Sequence, residues 1–492
     1  MAVGLAALVV AQLAATDSFY QLQKFFWTDE LCTLALITDP HIGHALRAMQ
    51  GAVDINPPGL HILLLAFTAL TQSTTEFALR SFALLSMLVA LVGVYAVLRE
   101  RFGVLPAIAG VLIVWSHPLI LDHAFEVRYY GPWLAAAAWF CFLLGRARAG
   151  TLGRFGLVAL GATSFFLCTV HYFGIVTWGL IVFAEWFWQR RQPMYPRRYL
   201  AAIAVGPLAS VASVIWLLPH QRAVTTVTTW VPDPNLAEVA DFGITVFLPL
   251  HLGALVLIGW LAHLTAPTAE AHADAAPAPV PSAVIALTSL AAYAPALIVF
   301  SFLIQSVLVS RYGIPSILAI APAAAFAVSR MTRLWAVVLI VFLIGASAFE
   351  LKQRSGHAQE QDAERTALIE AIRRHAGDGP VVFEVPHQLN VVWHYAPDLR
   401  GRVFLLDFEP GELGDNVAPF RIWARDLARQ FVKFYDAPPL LPWAAVQSRP
   451  SVFVVPYGEA YREEPGPADR YPQFVMRPVE GQLNQLVRAD GR

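Results

Sequence analysis

The amino-acid sequence predicts an all-α polytopic membrane domain followed by a small α/β domain outside the membrane, on three observations. Of 492 residues, 57% are hydrophobic and 14% charged. An average soluble domain is about 25% charged, so this chain lacks the polar surface to coat a globule. Apolar runs close to the ~20 residues that cross a bilayer recur through residues 1–350. From Glu350 to Arg492 the composition returns to that of an ordinary soluble protein. The expected division is therefore 1–350, in the membrane, and 351–492, outside it.

Bulk charge and cysteine content exclude several classes. A net charge of −1 carries no nucleic-acid footprint. Cys32, Cys141 and Cys168 are too scattered for a disulfide framework or a zinc site, and the last two sit in apolar runs as small buried residues.

Each span follows from an apolar run. Met1–Thr16 is slightly short, and no Lys or Arg precedes it as a secretory signal would require, so it reads as an uncleaved first span. Ten more follow at about 76–98, 103–121, 130–146, 153–170, 172–189, 199–219, 242–264, 284–305, 312–329 and 333–350, about eleven in all. The stretch Pro58–Gln72 is too short for a span and reads as an interfacial or re-entrant helix.

Basic residues set the sidedness. Arg99 and Arg101, then Arg146, Arg148 and Arg154, then Arg190, Arg191, Arg197 and Arg198, then Arg330 and Arg333 all fall on one side of an eleven-span arrangement. The positive-inside rule makes that side cytoplasmic. Loop 265–283 shares it without carrying a Lys or Arg. Counting 58–72 as a span would switch every later loop, and all four basic clusters with them, to the other side, and the rule would fail. The opposite face receives residues 17–56, 122–130, 171–172, 219–241, 311–312 and the tail.

In the tail, Ala363, Ala367, Leu368, Ala371 and Ile372 form a helical stripe over Asp362–His375. Val381–Val385, Val403–Leu406 and Val452–Val455 read as strands near Pro or Gly breakers, and Ala418–Tyr435 as an amphipathic helix.

The external face holds the residues that carry chemistry. Asp29 and Glu30 follow the aromatic run Phe25-Phe26-Trp27, which belongs where headgroups meet water. A carboxylate there can act as general base on a hydroxyl; the plainer alternative is a helix cap before Leu31. In Asp54-Ile55-Asn56-Pro57-Pro58-Gly59, two prolines force an abrupt turn that aims Asp54 and Asn56 at the same interface, or it is turn chemistry alone.

Glu126, Arg128, Tyr129 and Tyr130 crowd one turn. Arg128 there suits a bidentate grip on phosphate, against the plainer reading of a Glu126/Arg128 pair snorkelling at a helix end. His171-Tyr172 interrupts an apolar stretch, and Arg311-Tyr312 opens a span; ionisable groups at membrane depth are costly and mark function by default, the plainer alternative for a lone His being a satisfied packing residue. Lys24 and Arg47 are weaker cations on this face. The carboxylates also suit a divalent cation, and nothing separates ligand from base in the sequence. Together these groups fit an anionic lipid headgroup joined to a polar substrate.

The order of these motifs resembles the GT-C superfamily of polyprenyl-phosphate-sugar glycosyltransferases, in particular the bacterial relatives of protein O-mannosyltransferases and the lipid A aminoarabinose transferase. The matching residues are Asp29-Glu30, Asp54 through Pro58, and Glu76-Phe77-Ala78-Leu79-Arg80. They continue with Glu126-Val127-Arg128-Tyr129-Tyr130, His171-Tyr172-Phe173, and Arg311-Tyr312 with Pro315, co-linear over about 300 residues.

The resemblance implies an inverting transferase in the bacterial inner membrane, with its active face and C-terminal domain extracytoplasmic. In it Asp29 is the base, Glu30 and Asp54 position acceptor and donor, and Arg128, Arg311 and His171 hold the donor phosphate. Asn56, Glu126, Tyr129, Tyr172 and Tyr312 are the expected substrate-positioning residues. Its expected partners are a polyprenyl-phosphate sugar, membrane lipids and a glycan, lipid or protein acceptor. Family acceptors vary too widely for substrate identity to transfer. The rival reading is a transporter or flippase of isoprenoid-linked glycans, which would place charges near the bilayer midplane and show internal repeats. Here the charges gather at one interface.

Overall fold

The computed structural model describes residues 2–188, 190, 196–224, 231, 233–247, 249–265, 281–409, 412, 419–456, 471 and 473–489. Arg191, most of loop 265–283 and residues 225–230 and 232 of loop 219–241 lie outside the described residues.

Helix occupies each apolar stretch read from the sequence. Among the described residues, five are long and apolar enough to cross a membrane by length and composition: Glu76–Phe102, Arg197–Val224, Ser282–Leu303, Ser310–Val328 and Arg333–His375. The ends of Glu76–Phe102 follow local rules. The Thr75 hydroxyl accepts from the Ala78 amide, Glu76 sits in the positive first turn, and Arg99 and Arg101 sit in the negative last one. Gly103, at φ 83°, stops it.

Several runs read as continuous are interrupted. The run 103–121 becomes Val104–Trp115 and Pro118–His123. Pro118 has no amide hydrogen to continue the first helix, and His117 Nδ1 accepts the Leu119 amide at 3.2 Å to cap the second. The run 312–329 opens as a 3-10 helix, Ser310–Ala319, with Pro315 inside it. Hydropathy averaged over a span sees neither break because the few polar residues there sit among apolar ones.

The described chain forms two compact units. The first gathers residues 1–23, 56–215 and 233–356. In it Gly131 stands where a Cβ would meet the Ala83 carbonyl at 2.9 Å, so helices Glu76–Phe102 and Tyr130–Arg148 approach closely.

The second unit gathers residues 24–55, 216–232 and 357–492. It contains six strands: β1 (Val381–Phe383), β2 (Val403–Asp407), β3 (Leu440–Pro442), β4 (Ser451–Val455), β5 (Phe474–Glu480) and β6 (Leu483–Arg488). Their order is β3-β2-β1-β4-β6-β5, parallel from β3 to β4 and antiparallel through the β5–β6 hairpin. Strand alternation feeds two cores: Val381, Phe383 and Leu405 pack with Leu368, Ile372 and Leu389 on one face. Val382, Leu406, Val452 and Val454 pack with Trp443 and Tyr471 on the other. Helices Thr28–Ile37 and Ile42–Gln50 form a third cluster, in which Leu36, Met49 and Val53 meet Leu217, Phe431 and Phe434.

Candidate functional site

The residues singled out from the sequence divide between the two units. Asp29, Glu30 and Asp54 belong to the second unit; Asn56, Glu126, Arg128, Tyr129, His171, Tyr172, Arg311 and Tyr312 belong to the first.

In the second unit, the helix carrying the adjacent carboxylates starts at Thr28 rather than Leu31, so Asp29 lies in its first turn and is not its cap. The chain enters in extended conformation, tied by the Phe26 amide to the Tyr395 hydroxyl at 2.8 Å and the Phe25 amide to Asp362 Oδ2 at 2.9 Å. Glu30, 1% exposed, turns back to accept the Trp27 amide at 3.1 Å, half of a capping box. Its carboxylate thus has a structural task that the doublet alone does not reveal.

Asp54, 4% exposed, accepts the Thr33 hydroxyl at 3.1 Å, and the same hydroxyl lies 3.0 Å from the Asp29 carbonyl. Gln221 Nε2 donates to the Asp54 carbonyl at 3.3 Å. Asp29 and Thr33 are one helical turn apart, so Asp29, half-buried, shares a face with the residue that holds Asp54. The structure brings Asp29 and Asp54 together through Thr33.

In the first unit, an aromatic chain assembles five of the predicted residues. Tyr129 and His171 have ring centroids 4.1 Å apart, and His171 and Tyr312 5.3 Å. The Arg128 guanidinium stands 5.6 Å from the Tyr129 ring, and that of Arg311 5.8 Å from the Tyr312 ring. Arg128 and His171 are each 5% exposed, so Arg128 does not snorkel to water.

Glu126 engages His123 Nδ1 at 2.7 Å, and the His123 ring stacks on Tyr130 at 4.1 Å. Asn56 is buried before the helix Gly59–Thr71, and Tyr172 is half-buried in the turn beside His171. Sequence reasoning missed Trp133 and Tyr293: Trp133 lies 4.7 Å from His171 and 5.9 Å from Tyr293. Trp133 follows Tyr129 by one helical turn, a usable signal, whereas Tyr293 lies in an apolar run and gives none. His123, three residues before Glu126, was also legible as a helical pair.

Two guanidinium groups set on aromatic faces around a buried imidazole are an arrangement that can attract an anion. The second unit supplies a half-buried carboxylate, Asp29, on the helix whose Thr33 hydrogen-bonds the buried Asp54 carboxylate. Among the described residues no group of three or more His, Cys, Asp or Glu is arranged to hold a metal ion.

No family model and no curated protein matches the chain. Solved structures do. ArnT from Cupriavidus metallidurans, bound to undecaprenyl phosphate, matches at 14% identity with a TM-score of 0.57, over 99% of this chain and 98% of that one. The same protein in its apo state matches equally, at 14% identity and a TM-score of 0.57. End to end, the chain shares the fold of ArnT.

Proposed function

We propose that the protein is an inverting glycosyltransferase that moves a sugar from a polyprenyl-phosphate donor to a hydroxyl of a lipid, glycan or protein acceptor. It does so as a multi-pass protein of the bacterial inner membrane, at the extracytoplasmic face, where residues 351–492 also lie. The observation that carries this reading is the Arg128–Tyr129–His171–Tyr312–Arg311 cluster, two guanidinium groups on aromatic rings around a buried imidazole, an arrangement suited to a lipid phosphate. The fold shared with ArnT, which has been solved with undecaprenyl phosphate, supports it.

In this reading the Asp29 carboxylate takes the acceptor's hydroxyl proton, and the freed oxygen attacks the anomeric carbon. The bond from that carbon to the phosphate oxygen breaks, and polyprenyl phosphate leaves with the bonding pair. Negative charge grows on the leaving phosphate, so Arg128 and Arg311, with His171 between their aromatic supports, stabilise the transition state more than the ground state. One base without a second nucleophile gives inversion. Glu30 and Asp54 position acceptor and donor, Glu30 chiefly by fixing the start of the Asp29 helix. Asn56, Glu126, Tyr129, Tyr172 and Tyr312 complete the substrate contacts.

The test is release of polyprenyl phosphate by purified protein in lipid, from a panel of polyprenyl-phosphate sugars, for wild type and Asp29→Asn. Turnover with one sugar, falling about 10²–10⁴-fold in a variant that still binds donor, supports the reading. Full activity in Asp29→Asn sinks the assignment of the base. An absence of turnover with every donor and acceptor pair moves the balance to transport.

A further inference from the structure

A cavity of about 580 Å³ opens in the second unit on the side of the Thr28–Ile37 helix away from Asp29. Leu31, Leu34, Ala35 and Thr38 line it, a single stripe at helical spacing. Asp29 and Thr33 occupy the opposite stripe of the same helix. Trp393, Tyr435 and Phe431 supply aromatic walls from the C-terminal residues.

Polar groups of both signs ring this apolar floor. Asp39 accepts from the Tyr435 hydroxyl at 2.9 Å and from the His41 amide at 2.9 Å, and it meets His44 Nδ1 at 2.5 Å. Arg400 donates to Asp436 at 3.2 Å and to the Trp393 carbonyl at 3.1 Å, with its guanidinium 5.4 Å from the Trp393 ring. Trp393 Nε1 is itself anchored on the Asp436 carbonyl at 3.3 Å, so the indole is held in place before any guest arrives.

The lining discriminates between guests. An anionic headgroup needs cations in excess, and here Arg400 faces Asp436 while His44 faces Asp39. An acyl or isoprenoid chain needs a dry wall throughout, and here the rim carries two ion pairs and His41. A sugar has both requirements met: its hydroxyls each donate and accept, and its C–H face lies against aromatic rings.

The geometry points to a saccharide-binding site in this cavity, one that holds a distal sugar of a glycan acceptor. The assignment of that sugar to the acceptor rests on the transferase reading above. A helix is about 10–12 Å across, so a sugar on the Leu31–Ala35 face is not the one whose hydroxyl meets Asp29. The site therefore reads a unit further along the acceptor and selects glycans of more than one residue.

Binding is measured on the full chain in lipid nanodiscs, without donor, by titrating neutral gluco-, manno- and galacto-oligosaccharides of one to four units and following tryptophan fluorescence and calorimetric heat. Saturable binding of one series is expected, weakened about tenfold or more in Trp393→Ala and in the cavity-filling Ala35→Phe. Having two variants guards against one that fails to fold. Lack of saturable binding by any saccharide, affinity indifferent to both variants, or preference for decyl phosphate would overturn the site. Turnover without saccharide binding removes this site alone. Saccharide binding without turnover leaves it standing and removes its tie to an acceptor.

Discussion

Tyr129 and His171 lie with ring centroids 4.1 Å apart and planes inclined by 32°, and each ring touches a second aromatic that carries the contact onward. The imidazole is thereby locked among Tyr129, Trp133 and Tyr312. Arg128 and Arg311 stand over the two tyrosines at either end.

That arrangement makes the Tyr129 ring, rather than its hydroxyl, the support for Arg128. Tyr129→Phe keeps the ring and is expected to bind polyprenyl phosphate within about threefold of wild type. Tyr129→Leu loses the cation–π contact and one aromatic pair, about 1–2 kcal/mol in a desolvated site, and should weaken binding about tenfold or more. Equal losses in both variants would assign the effect to the hydroxyl instead.

Thr33 is fully buried and links the Asp29 helix to Asp54 through its hydroxyl. Thr33→Val keeps the volume and deletes a hydrogen bond to a charged group, worth about 1.5–3 kcal/mol. Chemical denaturation of the chain in detergent should record a loss of that size. Turnover should fall as well if Asp54 orients substrate, and a normal rate would confine Thr33 to stability.

Gly59 looks like turn punctuation after two prolines, yet its role is close packing. A Cβ there would stand 2.6 Å from the Thr169 carbonyl and the Thr169 hydroxyl, so the helix Gly59–Thr71 passes directly against the end of Arg154–Thr169. Gly59→Ala must push backbone aside and is expected to cost about 1–3 kcal/mol, seen as a lowered thermal midpoint. An unchanged midpoint would mean that the contact is looser than the geometry.

The same position marks how far the sequence could be read. Apolar runs betray membrane-length helices because hydrocarbon burial demands composition, and short apolar runs near Pro or Gly betray β1, β2 and β4 because strands covered on both faces are apolar throughout. The β5–β6 hairpin gave no such signal: Pro478 interrupts β5, and polar Asn484 and Gln485 dilute β6. Arg128, His171 and Arg311 stood out because charge in an apolar stretch is costly. Tyr293 stayed hidden, since an aromatic inside a span is composition like any other until its neighbours are known, whereas Trp133 was legible one helical turn after Tyr129. Glu30 carries a task the sequence did not show: three residues away the Trp27 amide holds its carboxylate as half of a capping box.

The last expectation concerns pH and the knot of Asp39, His44 and Tyr435. Burial raises the Asp39 carboxyl, but bonds from His44, the His41 amide and Tyr435 outweigh it and leave the group below its usual range. Burial, followed by the bond to Asp39, pushes the Tyr435 hydroxyl well above its usual range. A depressed carboxyl contributes stability that is whole above the unfolded value, near 3.9, and is lost as pH falls through the lower folded value. A raised phenol contributes stability that is whole below about 10 and is lost as pH rises beyond it. Protection of the 39–44 amides in hydrogen exchange, corrected for intrinsic rate, should therefore hold level from about pH 5 to 9 and fall on both sides. Tyr435→Phe removes the alkaline loss entirely and shrinks the acid one, because Asp39 then lacks one of its donors. An alkaline loss that persists in Tyr435→Phe would place the responsible group elsewhere in the unit.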